Sequence, residues 1–113
     1  MSQGNAVLKS GLQGFLEVPY NSTPKSWDLF ANVSGSLSVD VRRSTYENWV
    51  TAAGVTTSIV GSEKPTLSSV SKNQDTNLTT WSGLSAGDVL VFWVDATPAT
   101  VNSALLSITC QVV

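Results

Sequence analysis

Histidine is absent from this chain of 113 residues, and cysteine occurs once. Without histidine there is no Ser-His-Asp or Cys-His catalysis, no His-ligated zinc and no ordinary general base near neutral pH. The single cysteine, Cys110, cannot close an internal disulfide, which agrees with a reducing compartment. It takes its turn in the apolar row Leu106, Ile108, Cys110, Val112, so the pattern predicts a buried, inert thiol and not a nucleophile. Charge is also scarce. Six basic and eight acidic residues leave a net charge of -2, with no basic stripe to neutralise phosphates, which argues against nucleic-acid binding. Such low charge suits a surface that rests partly on other protein. No run is long and apolar enough to span a membrane. Residues 1–10 lack the basic start and apolar run of a signal peptide, so synthesis and folding in a cytoplasm are expected. The glycines form neither a phosphate loop nor a dinucleotide fingerprint, and no cofactor is implied.

What is present centres on residues 85–95, Ser-Ala-Gly-Asp-Val-Leu-Val-Phe-Trp-Val-Asp. Ala86-Gly87-Asp88 supplies a tight turn, since glycine accepts positive φ and aspartate bonds its own local backbone. The β-branched and aromatic run that follows places Val89, Val91 and Trp93 on one face and Leu90, Phe92 and Val94 on the other. With nothing polar between Asp88 and Asp95, this reads as a central strand covered on both faces.

The remainder divides into a polar N-terminal arm, residues 1–10, and one domain, residues 11–113. Residues 11–20 alternate, with Leu12, Gly14, Leu16 and Val18 opposite Gln13, Phe15 and Glu17, which predicts a strand. Trp27, Leu29, Ala31 and Val33 alternate next. Ser34-Gly35-Ser36 reads as a turn into Leu37, Val39 and Val41, giving a hairpin with one wet face. Residues 44–49 lose the alternation and predict a turn or short helix, followed by an Ala52-Ala53-Gly54 loop. Residues 56–60 are short but β-branched. Residues 66–77 are polar and are expected to cross the surface without a strand, residues 97–100 form a connection, and residues 101–113 form a final strand. The sum is an all-β antiparallel sandwich of Greek-key or jelly-roll type, with about seven to eight strands.

Few constellations suggest chemistry. Among the carboxylates Glu17, Asp28, Asp40, Glu47, Glu63, Asp75, Asp88 and Asp95, no spacing singles out a catalytic pair. Asp88 and Asp95 flank the central strand and are explained as turn and strand-end residues, so the chain is not expected to be an enzyme. The Asn-x-Ser/Thr triplets at Asn21, Asn32 and Asn77 are chance matches in a Ser/Thr-rich chain. Trp81 and Trp93 lie in apolar rows and are expected to be buried. Tyr46 and Trp49 lie in a connection, where plugging the core and contacting a partner are both open. Ala6, Val7 and Leu8 form a short sticky patch that an isolated monomer has little reason to keep, so the arm is a candidate partner contact.

Leu16-Glu17-Val18-Pro19, the run Ser-Gly-Ser-Leu-Ser-Val-Asp-Val at residues 34–41 and Thr45-Tyr46-Glu47-Asn48 resemble a β-sandwich module of virion structural proteins in tailed bacteriophages. The likeness continues through Ser58-Ile59, Lys64-Pro65-Thr66-Leu67-Ser68, residues 75–81 and Ala86-Gly87-Asp88-Val89-Leu90, and so covers most of the chain. Where that family often carries Pro-Pro after its Tyr-x-Asn segment, this chain has Trp49-Val50-Thr51. The resemblance implies a virion location and a structural role. With no fibre shaft ahead of the module, it implies a capsid decoration (cement) protein on the capsid exterior. Its partners would be the major capsid protein and copies of itself, as a dimer or trimer. The alternative it implies is a tail-fibre or receptor-binding module that adheres to a host glycan.

Overall fold

Residues 89–95 do lie at the centre of the sheet. The computed structural model describes residues 11–113, apart from the side chains of residues 96–99. In it the apolar run opens strand β4, Val89–Ala99, which also takes in residues expected to form a connection. β4 pairs antiparallel with β1, Gly11–Glu17, on one side and with the second half of β2, Ser22–Ser44, on the other. Val91 and Val94 are fully buried. The launching turn forms for the reasons its residues suggest. Gly87 takes a left-handed φ of +90°, while the Asp88 carboxylate accepts the Ser85 N–H at 2.9 Å and the Asp88 N–H donates to the Ser85 carbonyl at 3.0 Å.

β2 overturns the expected hairpin at residues 34–36. It runs as one strand of 23 residues through Gly35, and the left-handed glycines are Gly11, Gly61 and Gly87 instead. The physical reason lies in the parity of the side chains. Trp27 and Leu29 before the supposed turn and Leu37, Val39 and Val41 after it are all odd-numbered and all buried, so both halves of β2 turn the same parity to the core without a reversal between them. Irregular register at residues 30–37 lets β2 change partners along its length. Its first half pairs with β5, Ala104–Val112, and its second half with β4, while β3, Thr66–Asp75, follows it along the opposite edge. The Asn32 side chain ties the irregular segment to the chain entering β5, accepting the N–H groups of Asn102 at 3.3 Å and Ser103 at 3.2 Å.

The described residues thus form one antiparallel sheet of five strands, in the order β1-β4-β2-β3 with β5 paired to β2 off this path. Five strands stand where seven or eight were expected, because β2 absorbs both arms of the supposed hairpin and residues 56–60 contribute only an isolated bridge, Arg42 to Ser58. Residues 66–75, expected as irregular surface, form β3. Most of them are exposed as expected, but Leu67 enters the core and the segment gains a ladder with β2. Residues 45–54 follow the sequence reading more closely, as a turn and then a short 3₁₀ segment, Ala52–Gly54, in which the Thr51 hydroxyl accepts the Gly54 N–H at 3.1 Å.

The core gathers Trp27, Leu29, Val39, Val41, Ile59 and Leu67 from β2, β3 and the intervening loop, with Trp81, Leu84 and Leu90 closing it. Trp81 is buried as its apolar row predicts. Trp93 is not. It is half-buried on the outer side of β4, and the Arg42 guanidinium lies 4.5 Å from its ring centroid. Asp40, buried beside it, holds that arginine through Nε at 2.9 Å and accepts the Ser58 hydroxyl at 2.6 Å. On the outer face of β4 Val91 is fully buried, while Trp93, the last aromatic of the run, is covered by a cation.

Candidate interaction surface

Tyr46 and Trp49 stand on the turn that follows β2, where the Trp49 N–H donates to the Tyr46 carbonyl at 3.3 Å and the Asn48 N–H to the Thr45 hydroxyl at 3.3 Å. Tyr46 is 81% exposed, so it does not plug the core. Trp49 is half-buried, and its ring meets Phe15 of β1 with centroids 5.5 Å apart and planes tilted by 46°. Together with Glu17, Glu47 and Val89, these three aromatics line an open depression of about 620 Å³. Its character is amphipathic: rings offer apolar area at low entropic cost, and two carboxylates stand ready to accept hydrogen bonds at the rim.

Sequence reasoning missed Phe15 and Glu17 as members of this surface. A signal was present, since the alternation of residues 11–20 puts Phe15 on the polar face with Gln13 and Glu17. A phenylalanine 60% exposed on the wet side of a strand needs a neighbour, and Trp49 is that neighbour.

A second apolar surface opens where β1 and β5 approach each other without pairing. One cavity of about 270 Å³ lies between Leu16, Val18 and Tyr20 on one wall and Ile108, Cys110 and Val112 on the other. Cys110 does keep its place in the apolar row, but the row borders an open trough, so the cysteine is exposed and not buried. Partial desolvation nevertheless pushes its thiol above the ordinary cysteine value, against the opposing effect of a hydrogen bond from Ser22.

The remaining candidates take structural places. Asp88 caps its turn and lies 3.9 Å from Arg43 Nη1, while Asp95 pairs with Lys64 at another part of β4. Among the described residues no group of three or more His, Cys, Asp or Glu side chains could hold a metal ion. Ala6, Val7 and Leu8 lie outside the described residues. Compared with family models, with curated proteins and with solved structures, the chain gives no match.

Proposed function

We propose that this chain is a bacteriophage virion structural protein, a capsid decoration protein that binds the outer shell and stabilises it. The observation that carries this reading is the exposed aromatic surface of Phe15, Tyr46 and Trp49, built from β1 and the turn after β2. Aromatic anchors with satisfied turns behind them are what a protein interface uses for affinity. In the same reading the irregular centre of β2 lets its halves serve two packed layers, a sandwich with Greek-key-type connections. Copies on the capsid exterior would bury this surface against coat subunits and link neighbouring capsomers, raising the resistance of the shell by mass action. No catalysis and no cofactor enter the reading. The protein would be made in the host cytoplasm and end on the virion. Adding purified protein to shells stripped of decoration tests it: saturable binding at hundreds of copies per particle, with raised heat resistance of the shell, is the expected result, and absence of binding overturns it.

Glu17 and Glu47 beside the rings favour one alternative, a tail-fibre or receptor-binding module in which a sugar stacks on Tyr46 or Trp49 while the carboxylates accept its hydroxyls. A few copies per particle, confined to the tail, together with glycan-dependent adhesion, would establish that alternative.

A further inference from the structure

We propose that the depression between Phe15, Tyr46 and Trp49 receives an arginine side chain, presented by the protein surface on which this chain docks. The inference rests on the docking role proposed for these rings and adds the chemistry of what meets them. Glu17 and Glu47 line the depression with the rings, and both are exposed. Among the described residues neither carboxylate has an ion pair. Three of the chain's cations are committed elsewhere: Arg42 to Asp40, Arg43 to Asp88 and the Gly83 carbonyl, and Lys64 to Asp95. Lys25 and Lys72 stand on the first half of β2 and on β3, neither of which adjoins β1. Lys9, outside the described residues, precedes the head of β1, while Glu17 closes its far end. A cation for this site is therefore to be sought on a partner.

The same face of the sheet shows what such a site holds. Trp93 carries the Arg42 guanidinium 4.5 Å from its ring centroid, and Asp40 fixes that guanidinium through Nε at 2.9 Å. Asp40 lies opposite Trp93 in the ladder between β2 and β4. In the ladder between β1 and β4, Phe15 lies opposite Val91 and Glu17 opposite Val89. Val89, Val91 and Trp93 alternate onto one face of β4, so that face bears two groups of ring and carboxylate. One group has its arginine from within the chain, and the other is open.

Arginine suits both parts of the lining. Its plane stacks on an aromatic face while its forked N–H donors pair with a carboxylate, a combination that the compact ammonium of lysine does not offer. A purely apolar partner would strip water from Glu17 and Glu47 and return no hydrogen bond. A sugar would bring acceptors as well as donors, and against those acceptors the lining sets only the Tyr46 hydroxyl and the Trp49 indole N–H.

The test is a titration of the whole chain with the peptide N-acetyl-Gly-Arg-Gly-amide, followed by the nuclear magnetic resonance of the Trp49 indole N–H, which Trp49→Phe identifies. We expect a saturable shift with a Kd on the order of 1–10 mM. The same peptide with citrulline, the neutral isostere of arginine, should bind about tenfold more weakly or worse, and so should the arginine peptide to the double variant Glu17→Gln, Glu47→Gln. Both glutamates are exposed, so that variant should keep the wild-type urea midpoint, which separates lost binding from lost folding. Four results overturn the proposal: no shift with the arginine peptide, equal binding of the citrulline peptide, undiminished binding by the double variant, or a methyl glycoside that shifts the resonance where the arginine peptide does not. No shell enters this titration. Arginine binding by a chain that leaves stripped shells bare would fell the decoration reading alone, and shell binding without arginine binding would fell this inference alone.

Discussion

Trp27 and Trp81 converge on one atom: both indole N–H groups donate to the carbonyl oxygen of Glu63, each at 3.0 Å. A carbonyl has two lone pairs, and here both are used by buried side chains from distant parts of the sequence. The loop between β2 and β3 is thereby fastened to the core by its backbone. The Glu63 side chain continues the fastening outward, accepting the backbone N–H groups and the hydroxyls of Thr79 and Thr80.

That shared acceptor makes the two tryptophans energetically coupled. Trp27→Phe or Trp81→Phe alone removes one donor while the oxygen keeps the other, at a cost of about 1 kcal/mol for the bond. Together they leave a carbonyl unpaired among core side chains, so the double variant should lose more than the sum of the singles, by about 1 kcal/mol. A double-mutant cycle from urea unfolding measures this, and simple additivity would show that the oxygen does not link the two rings.

Glu63 should set part of the acid sensitivity. Hydrogen bonds from Thr80, first its backbone N–H and then its hydroxyl, hold the carboxyl below the ordinary carboxylate range, with smaller help from Thr79. Because the folded value is depressed, its contribution is complete above the unfolded carboxylate value and is lost as pH falls through the folded one. The melting temperature is therefore expected to drop across that acidic window in the wild type and to drop less steeply in Glu63→Gln. Parallel curves for the two proteins would refute the assignment.

Trp81 and Trp93 should separate cleanly in stability. Trp81→Ala empties a buried site and is expected to cost about 3–5 kcal/mol. Trp93 is half-exposed beneath Arg42, so Trp93→Ala loses partial burial and one cation–π contact, about 1–2 kcal/mol together. Urea midpoints rank the two directly, and a larger loss at Trp93 would mean that its outer face is covered by something other than the arginine.

The aromatic depression allows binding and folding to be tested apart. Tyr46→Ala removes a ring that is 81% exposed, so its unfolding midpoint should stay within about 0.5 kcal/mol of wild type while shell binding weakens about tenfold or more. Trp49→Ala also removes the ring packed on Phe15, and is expected to weaken binding further and to cost about 1 kcal/mol of stability. Full occupancy of stripped shells by both variants would move the interface away from this surface.

Much of the fold was legible in the residues. The turn at residues 85–88 and the central place of β4 follow from Gly87, Asp88 and the uninterrupted apolar run after them. The parity of Trp27, Leu29, Leu37, Val39 and Val41 was equally visible, and it fits the continuous strand as well as the hairpin that was expected. Ser34-Gly35-Ser36 looked like a break in it because glycine and serine are common in turns, yet an extended glycine costs little when ladders on both sides hold the backbone. Of the interaction surface, Tyr46 and Trp49 were legible from their place in a connection, and Phe15 only as an aromatic out of keeping with its polar face.

By itself the sequence determined that the chain is all β, where most strands run, and which side chains share a face, because alternation is a local property of the pleated backbone. Coverage of a face is not local. The same odd–even rule places Cys110 with Leu106 and Ile108 and Trp93 with Val91, but only the partner arrangement decides that the first row borders an open trough and that in the second Val91 is buried while Trp93 lies under Arg42. Pairing across the chain, not local pattern, made β1 and β5 edges among the described residues, brought Phe15 to Trp49, and set the Glu63 carbonyl between Trp27 and Trp81. These are consequences of which strands neighbour which, and free energy assigns neighbours over the whole chain at once.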